Sequence, residues 1–189
     1  SGLGVSLVAS SPFMLLVAKR RRVEVYREGV AQTYDGDGLE TLRTLLDGLR
    51  GEPVVAIGYL GYDLGGLIER LPYAAIDDQD FPDLLIGFYE GAQRVVHATG
   101  EVETIGAKVR APAMSPDQEA QRFVTAPGTV ENNFTRERYL ETVQSARRAI
   151  EAGEIYQVNL SQRFAGSFAG GPRELYRNLR EASPAPYAA

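Results

Sequence analysis

The chain has 189 residues, a formal charge of −5 and no cysteine. The missing thiols exclude disulfides, thiolate metal sites and a cysteine nucleophile, and the acidic balance argues against a nucleic-acid partner, which calls for a basic surplus gathered on one face. At 44% hydrophobic and 24% charged residues the composition is that of an ordinary globular chain, and no apolar run reaches the ~18–20 residues of a membrane span. No basic segment followed by an apolar run and a small-residue cleavage site stands at the start, so a cytoplasmic location and no membrane partner are expected.

The first hundred residues read as short, mostly antiparallel strands. Leu3, Val5 and Leu7 alternate, and residues 13–18 and 23–26 are apolar segments that flank the basic run Lys19-Arg20-Arg21-Arg22, read as a solvated hairpin turn. After the glycine-rich group at residues 35–38, Leu39, Leu42, Leu46 and Leu49 fall on one helical face. Asp37 is placed to cap that helix, Glu40 to answer it in a capping box, and Gly48 or Gly51 to end it. Residues 54–60 form a near-continuous apolar run, the pattern of a strand buried on both faces, and lead into the bend Gly61-Tyr62-Asp63-Leu64-Gly65-Gly66. Strands resume at residues 84–89 and 94–96, and Thr99-Gly100 turns the chain into residues 102–105, an edge hairpin.

Prolines and polar residues accumulate from 111 to 133, around a Ser115-Pro116 start for a short helix. A second amphipathic helix is expected from the Thr135 cap, with Tyr139, Val143, Ala146 and Ile150 on one face and Gly153 at its end. Residues 155–164 alternate and predict a strand with Tyr156, Val158 and Leu160 on one side and Gln157, Asn159 and Ser161 on the other. A third helix opens at Gly171-Pro172 and ends before Ser183-Pro184-Ala185-Pro186, after which Tyr187 begins a new segment. A helix-strand-helix unit with one strand cannot shelter two apolar helix faces, so the second domain is expected to be incomplete.

The usual catalytic signatures are absent: no paired histidines, no Gly-x-Ser-x-Gly, no phosphate-binding glycine loop with Lys and Ser or Thr. His97, the single histidine, falls on an expected edge strand with no carboxylate near it in sequence, which suits a structural or exposed role. Asp77, Asp78, Asp80 and Asp83 lack the spacing of a calcium loop and read as a solvated acidic loop. Two segments offer more. Gln157, Asn159, Ser161 and Gln162 beside an apolar strand face need partners, structural or ligand, because an unpaired buried polar group costs roughly 1–3 kcal/mol. Pro184, Ala185, Pro186 and Tyr187 give a rigid extended backbone with an aromatic wall, suited to a small amphipathic molecule or to a plain helix-breaking connection.

Three segments together resemble the large subunits of anthranilate synthase and aminodeoxychorismate synthase. They are Gly58-Tyr59-Leu60-Gly61-Tyr62-Asp63-Leu64 closed by Glu69-Arg70-Leu71-Pro72; residues 81–89, Phe-Pro-Asp-Leu-Leu-Ile-Gly-Phe-Tyr; and the run from Tyr139 through Gly153-Glu154-Ile155-Tyr156-Gln157-Val158-Asn159-Leu160-Ser161-Gln162 to Arg163-Phe164. The resemblance implies an α+β fold of two packed, mainly antiparallel sheets with helices outside. It places an N-terminal domain at residues 1–112, a linker with a short helix at 113–134, and the opening of a chorismate-binding domain at 135–189. It further implies chorismate as substrate, magnesium as cofactor and a glutamine amidotransferase as partner. The family's catalytic and magnesium-binding residues lie in its C-terminal half, so no catalytic or metal-ligating residue is assigned to this chain. The Pro184-Ala185-Pro186-Tyr187 segment stands where the tryptophan pocket of anthranilate synthases has Asn-Pro-Ser-Pro-Tyr-Met. That departure, with the bend at residues 62–65 and the ending at 68–72, resembles the aminodeoxychorismate branch. The alternatives are an anthranilate-forming enzyme and a non-catalytic amino-acid-binding or subunit-docking module.

Overall fold

The computed structural model describes residues 4–72, 76–109, 130–167 and 171–183. The chain divides into two compact units, Ser1–Ser115 and Pro116–Ala189. The first is α+β, with two packed antiparallel sheets and helices outside them.

Its larger sheet grows from a hairpin. Strand β2 (Met14–Lys19) turns at Arg20-Arg21 into β3 (Arg22–Arg27), pairing Met14 with Arg27 and Lys19 with Arg22, so the basic run is the expected turn. Two further antiparallel additions extend it. β4 (Val30–Asp35), which follows the left-handed Gly29, pairs with β3, and β6 (Leu84–Tyr89) pairs with β2 and with β5 (Val55–Leu60), giving the order β4-β3-β2-β6-β5. The period-two pattern of β2 sends Met14, Leu16 and Ala18 to the covered face, where Val23, Val25, Leu84, Ile86 and Phe88 join them in one core. Each large side chain fully buried there contributes about 1.5–3 kcal/mol.

Helix α1 (Gly38–Gly48) covers this face. Its start is fixed by Asp37, whose carboxylate accepts the N–H groups of Leu39 and Glu40 at 2.8 and 3.1 Å. Gly38 is buried against β2; a Cβ there would stand 2.7 Å from that of Ala18. Two details differ from the expected helix. Glu40 does not close a capping box, because its carboxylate is held by the Arg43 guanidinium one turn on. The packed stripe is Leu39, Leu42, Leu45 and Leu49, with Leu46 half exposed, so the face on the sheet follows steps of three and four residues through Leu45 and not through Leu46. The chain leaves through Gly51 in the left-handed conformation.

Strand β5 corrects a second expectation. Its apolar run is not buried on both faces: among the described residues β5 is an edge strand, paired only with β6, and Tyr59 and Leu60 are 42% and 59% exposed. An edge strand lacks a neighbour on one side, and composition alone does not distinguish it from a central one. The following bend is a short 3-10 turn, Tyr62–Leu64, and a four-residue helix, α2 (Gly65–Ile68); Leu64 plugs into the core while Tyr62 is fully exposed.

The smaller sheet is β1 (Val5–Val8), β7 (Gly91–Val96) and β8 (Glu101–Gly106), in the order β1-β7-β8. β7 is therefore central, and the expected edge hairpin has its first strand covered on both sides.

In the second unit, helix α3 (Arg136–Glu151) forms as expected. The Thr135 hydroxyl accepts the Arg138 N–H at 3.2 Å, and Phe134, just outside the helix, packs edge-on against Tyr139 with ring centroids 6.0 Å apart, a hydrophobic staple over the first turn. Gly153 ends the helix at positive φ. Helix α4 (Pro172–Ala182) begins at Gly171-Pro172. The predicted strand over residues 155–164 is not found. Pairing is confined to β10 (Phe164–Ala165) against β9 (Glu131–Asn132), and residues 155–163 are irregular. A strand requires a hydrogen-bonded partner along its length, and among the described residues only Glu131–Asn132 supplies one. The short helix expected at Ser115-Pro116 lies outside the described residues.

Candidate functional site

The residues singled out as a possible polar site do not converge. Gln157, Asn159 and Ser161 are exposed, as are Tyr156, Val158 and Leu160. Without a strand there is no apolar face to bury the amides, so water can satisfy them and the penalty for unpaired groups does not arise. Asn132 and Asn133 organise this region instead. Asn132 Oδ1 accepts the Phe134 N–H at 2.6 Å, Asn133 Oδ1 accepts the Arg163 N–H at 2.8 Å, and the Asn133 N–H donates to the Arg163 carbonyl. These bonds tie the end of the segment after α3 to the residues that open α3. The pocket wall Pro184, Ala185, Pro186 and Tyr187 lies outside the described residues.

His97 sits in the turn that follows β7, not on an edge strand. Its Nε2 is 2.8 Å from Ser6 Oγ, and the His97 backbone N–H donates to the Gly4 carbonyl at 2.7 Å. The register Val5↔Val96 and Ser6↔Val95 brings β1 past this turn. The exposed Ser-His pair thus fastens the start of β1, matching the structural role expected of the lone histidine.

The acidic loop departs most from its reading. Asp83 is the buried charged residue of the described core, 5% exposed. Its Oδ2 accepts the Arg20 N–H at 2.6 Å and its Oδ1 lies 3.6 Å from Lys19 Nζ. Lys19 Nζ also donates to the Phe81 carbonyl at 2.6 Å and pairs with Asp77 at 2.5 Å, while Asp77 Oδ1 accepts the Asp80 N–H at 3.1 Å. The hydrogen bond to Asp77, with the fields of Asp83, Asp77 and Asp80, raises the Lys19 pKa above its ordinary value against the opposing effect of desolvation. The same bond from Lys19 holds Asp77 below the usual aspartate value. Basic turn and acidic loop are therefore joined in one charge cluster through Lys19. No local signal could have joined them, since Lys19 and Asp83 lie far apart in sequence and meet only through β2–β6 pairing.

Among the described residues no group of three or more His, Asp or Glu could hold a metal ion. Likewise, no described helix is long and apolar enough to cross a membrane.

The profile of the chorismate binding enzyme family matches residues 13–189. Aminodeoxychorismate synthase component 1 of Escherichia coli is 29% identical over 97% of this chain and 43% of its own length. Anthranilate synthase component 1 of Cereibacter sphaeroides is 32% identical over 82% of the chain and 37% of its length. The crystal structure of anthranilate synthase component I from Streptococcus pneumoniae superposes with a TM-score of 0.72 at 23% identity, over 99% of this chain and 47% of that one, which establishes the fold. The chain spans less than half the length of these relatives, and it belongs to the chorismate binding enzyme family, with the α+β architecture of its component I members.

Proposed function

We propose that this chain is the N-terminal part of a chorismate-aminating synthase, the component that receives ammonia from a glutamine amidotransferase and adds it to the ring of chorismate with magnesium as cofactor. The observation that carries this reading is the family match over residues 13–189, supported by relatives of both aminating types. The catalytic half is proposed to lie beyond the stretch described here, so these residues supply scaffold.

Two products are compatible with the relatives. In one, an amino group replaces the 4-hydroxyl, giving 4-amino-4-deoxychorismate for 4-aminobenzoate and folate synthesis, and the Pro184-Ala185-Pro186-Tyr187 segment favours it. In the other, amination at the adjacent ring carbon and loss of pyruvate give anthranilate for tryptophan synthesis. Relatives named anthranilate synthase component 1, those of Cereibacter sphaeroides and Thermus thermophilus among them, support this second product. Under the anthranilate reading, Pro184 and Tyr187 would line a tryptophan-type effector pocket.

The full-length protein should consume chorismate when supplied with magnesium and ammonia, and mass and fluorescence identify the product. Anthranilate assigns the tryptophan branch and 4-amino-4-deoxychorismate the folate branch. A full-length protein that leaves chorismate untouched overturns the reading. Saturable tryptophan binding without turnover would then identify a binding module.

A further inference from the structure

We propose that residues 156–163 extend β10 as a strand that forms on an edge supplied by the remainder of the family-length protein, with Asn133 fixing its register. The inference rests on the reading of this chain as the N-terminal part of a longer synthase. Three observations carry it. First, the segment has the side-chain pattern of a half-buried strand and none of its bonds. Counting back from Phe164 by twos places Leu160, Val158 and Tyr156 on the face of Phe164, with Ser161, Asn159 and Gln157 on the other. Yet no hydrogen bond joins residues 156–162 to any described residue, and Tyr156 is 94% exposed. Second, helices α3 and α4, which flank the segment in sequence, contain no buried residue, and Ile150 and Leu179 are 44% and 57% exposed. Apolar helix stripes need a second layer to cover them, and the described residues of this unit offer only the two-residue ladder of β9 and β10. Third, the covering layer has a source: the relatives match nearly all of this chain with less than half of their own length.

Asn133 decides where the extension starts. Its Oδ1 accepts the Arg163 N–H at 2.8 Å and its N–H donates to the Arg163 carbonyl at 3.2 Å, so both backbone groups of Arg163 meet one residue, beside the pair Phe164↔Asn132. A slip of one residue would exchange the two faces of the segment. The clasp opposes that slip and leaves the N–H and C=O groups of residues 156–162 open to a partner edge, the arrangement used in strand addition. An edge within the same polypeptide is favoured over a second copy, because a tethered partner is present at high effective concentration. Pairing there turns Tyr156, Val158 and Leu160 toward one apolar layer and completes the unit that α3 and α4 begin.

The test is hydrogen exchange followed by mass spectrometry on the full-length protein, with the chorismate assay run in parallel. Amides of residues 156–162 should exchange at least about 100-fold more slowly than in an unstructured chain, at any protein concentration. Asn133→Ala should raise exchange over residues 160–164 by about tenfold, and Asn133→Asp, which keeps an oxygen able to accept the Arg163 N–H, should restore most of the protection. Exchange at the unstructured rate over 156–162 in wild type overturns the strand, a measurement that stands even if the Asn133 variants fail to fold. Unchanged exchange in Asn133→Ala overturns the register role. Protection that disappears on dilution to the monomer assigns the segment to a second copy and overturns pairing within one chain. Protein that consumes chorismate but leaves 156–162 unprotected removes this inference and keeps the proposed function, whereas protection without turnover does the reverse.

Discussion

Asp83 accepts the backbone N–H of Arg20 at 2.6 Å across 63 residues of sequence. This bond closes the β2–β3 turn onto the strand that lies beside it in the sheet, and it uses a buried carboxylate. Asp83→Ala should leave the Arg20 N–H and the Lys19 ammonium without that acceptor and destabilise the first unit by about 2–3 kcal/mol. Asp83→Asn keeps an oxygen able to accept from Arg20 and should cost about half as much. Urea midpoints of the two variants check the order; equal midpoints would refute it.

The Lys19–Asp77 pair predicts a stability profile with two limits. Asp77 is held below its ordinary value of 3.8, so its contribution is fully present above that pH and is lost as the pH falls through the lower folded value. Lys19 is raised above 10.5, so its contribution is present below that pH and is lost as the pH rises through the higher folded value. Between these limits the pair should add no pH dependence. Melting temperatures of wild type and Asp77→Asn, measured across the range, should converge in acid below the folded aspartate value and run parallel near neutrality.

Gly58 and Gly48 should respond in opposite directions to alanine. A Cβ on Gly58 would stand 1.9 Å from the Leu85 carbonyl oxygen and 2.8 Å from Ile86 Cα, backbone atoms of the paired strand that cannot yield cheaply. Gly58→Ala should cost about 2 kcal/mol or more by forcing β5 from β6. Gly48, at the end of α1, has nothing within 4 Å of its added Cβ, so Gly48→Ala should stabilise by about 0.5 kcal/mol through helix propensity. Thermal shifts of opposite sign are the expected reading.

The start of α3 should depend on two side chains acting separately. Thr135→Ala removes the acceptor of the Arg138 N–H and should weaken the first turn by about 1 kcal/mol. Phe134→Ala removes the edge-on contact with Tyr139 and should cost about 0.5–1.5 kcal/mol. Faster amide exchange over residues 137–139, with residues 145–150 little changed, would identify both as local effects.

Sequence by itself determined the features whose physics is local. Asp37 and Thr135 cap α1 and α3 because a short oxygen-bearing side chain before a helical stretch meets the N–H groups of the first turn. The basic run between two alternating segments became the β2–β3 turn because strand period and turn length set that hairpin. Family membership was also legible, carried by three motifs in order. Tertiary structure decided whatever depended on a neighbour distant in sequence. The apolar run of β5 became an edge because no described strand pairs beyond it, and residues 155–163 stayed irregular because the only described strand partner reaches just to Phe164–Ala165. Asp83 passed from an apparent surface acid to the buried end of a charge cluster because β2–β6 pairing delivers Ala18, Lys19 and Arg20 to it. Pairing free energy belongs to two segments at once, and neither segment's composition records where the other will lie.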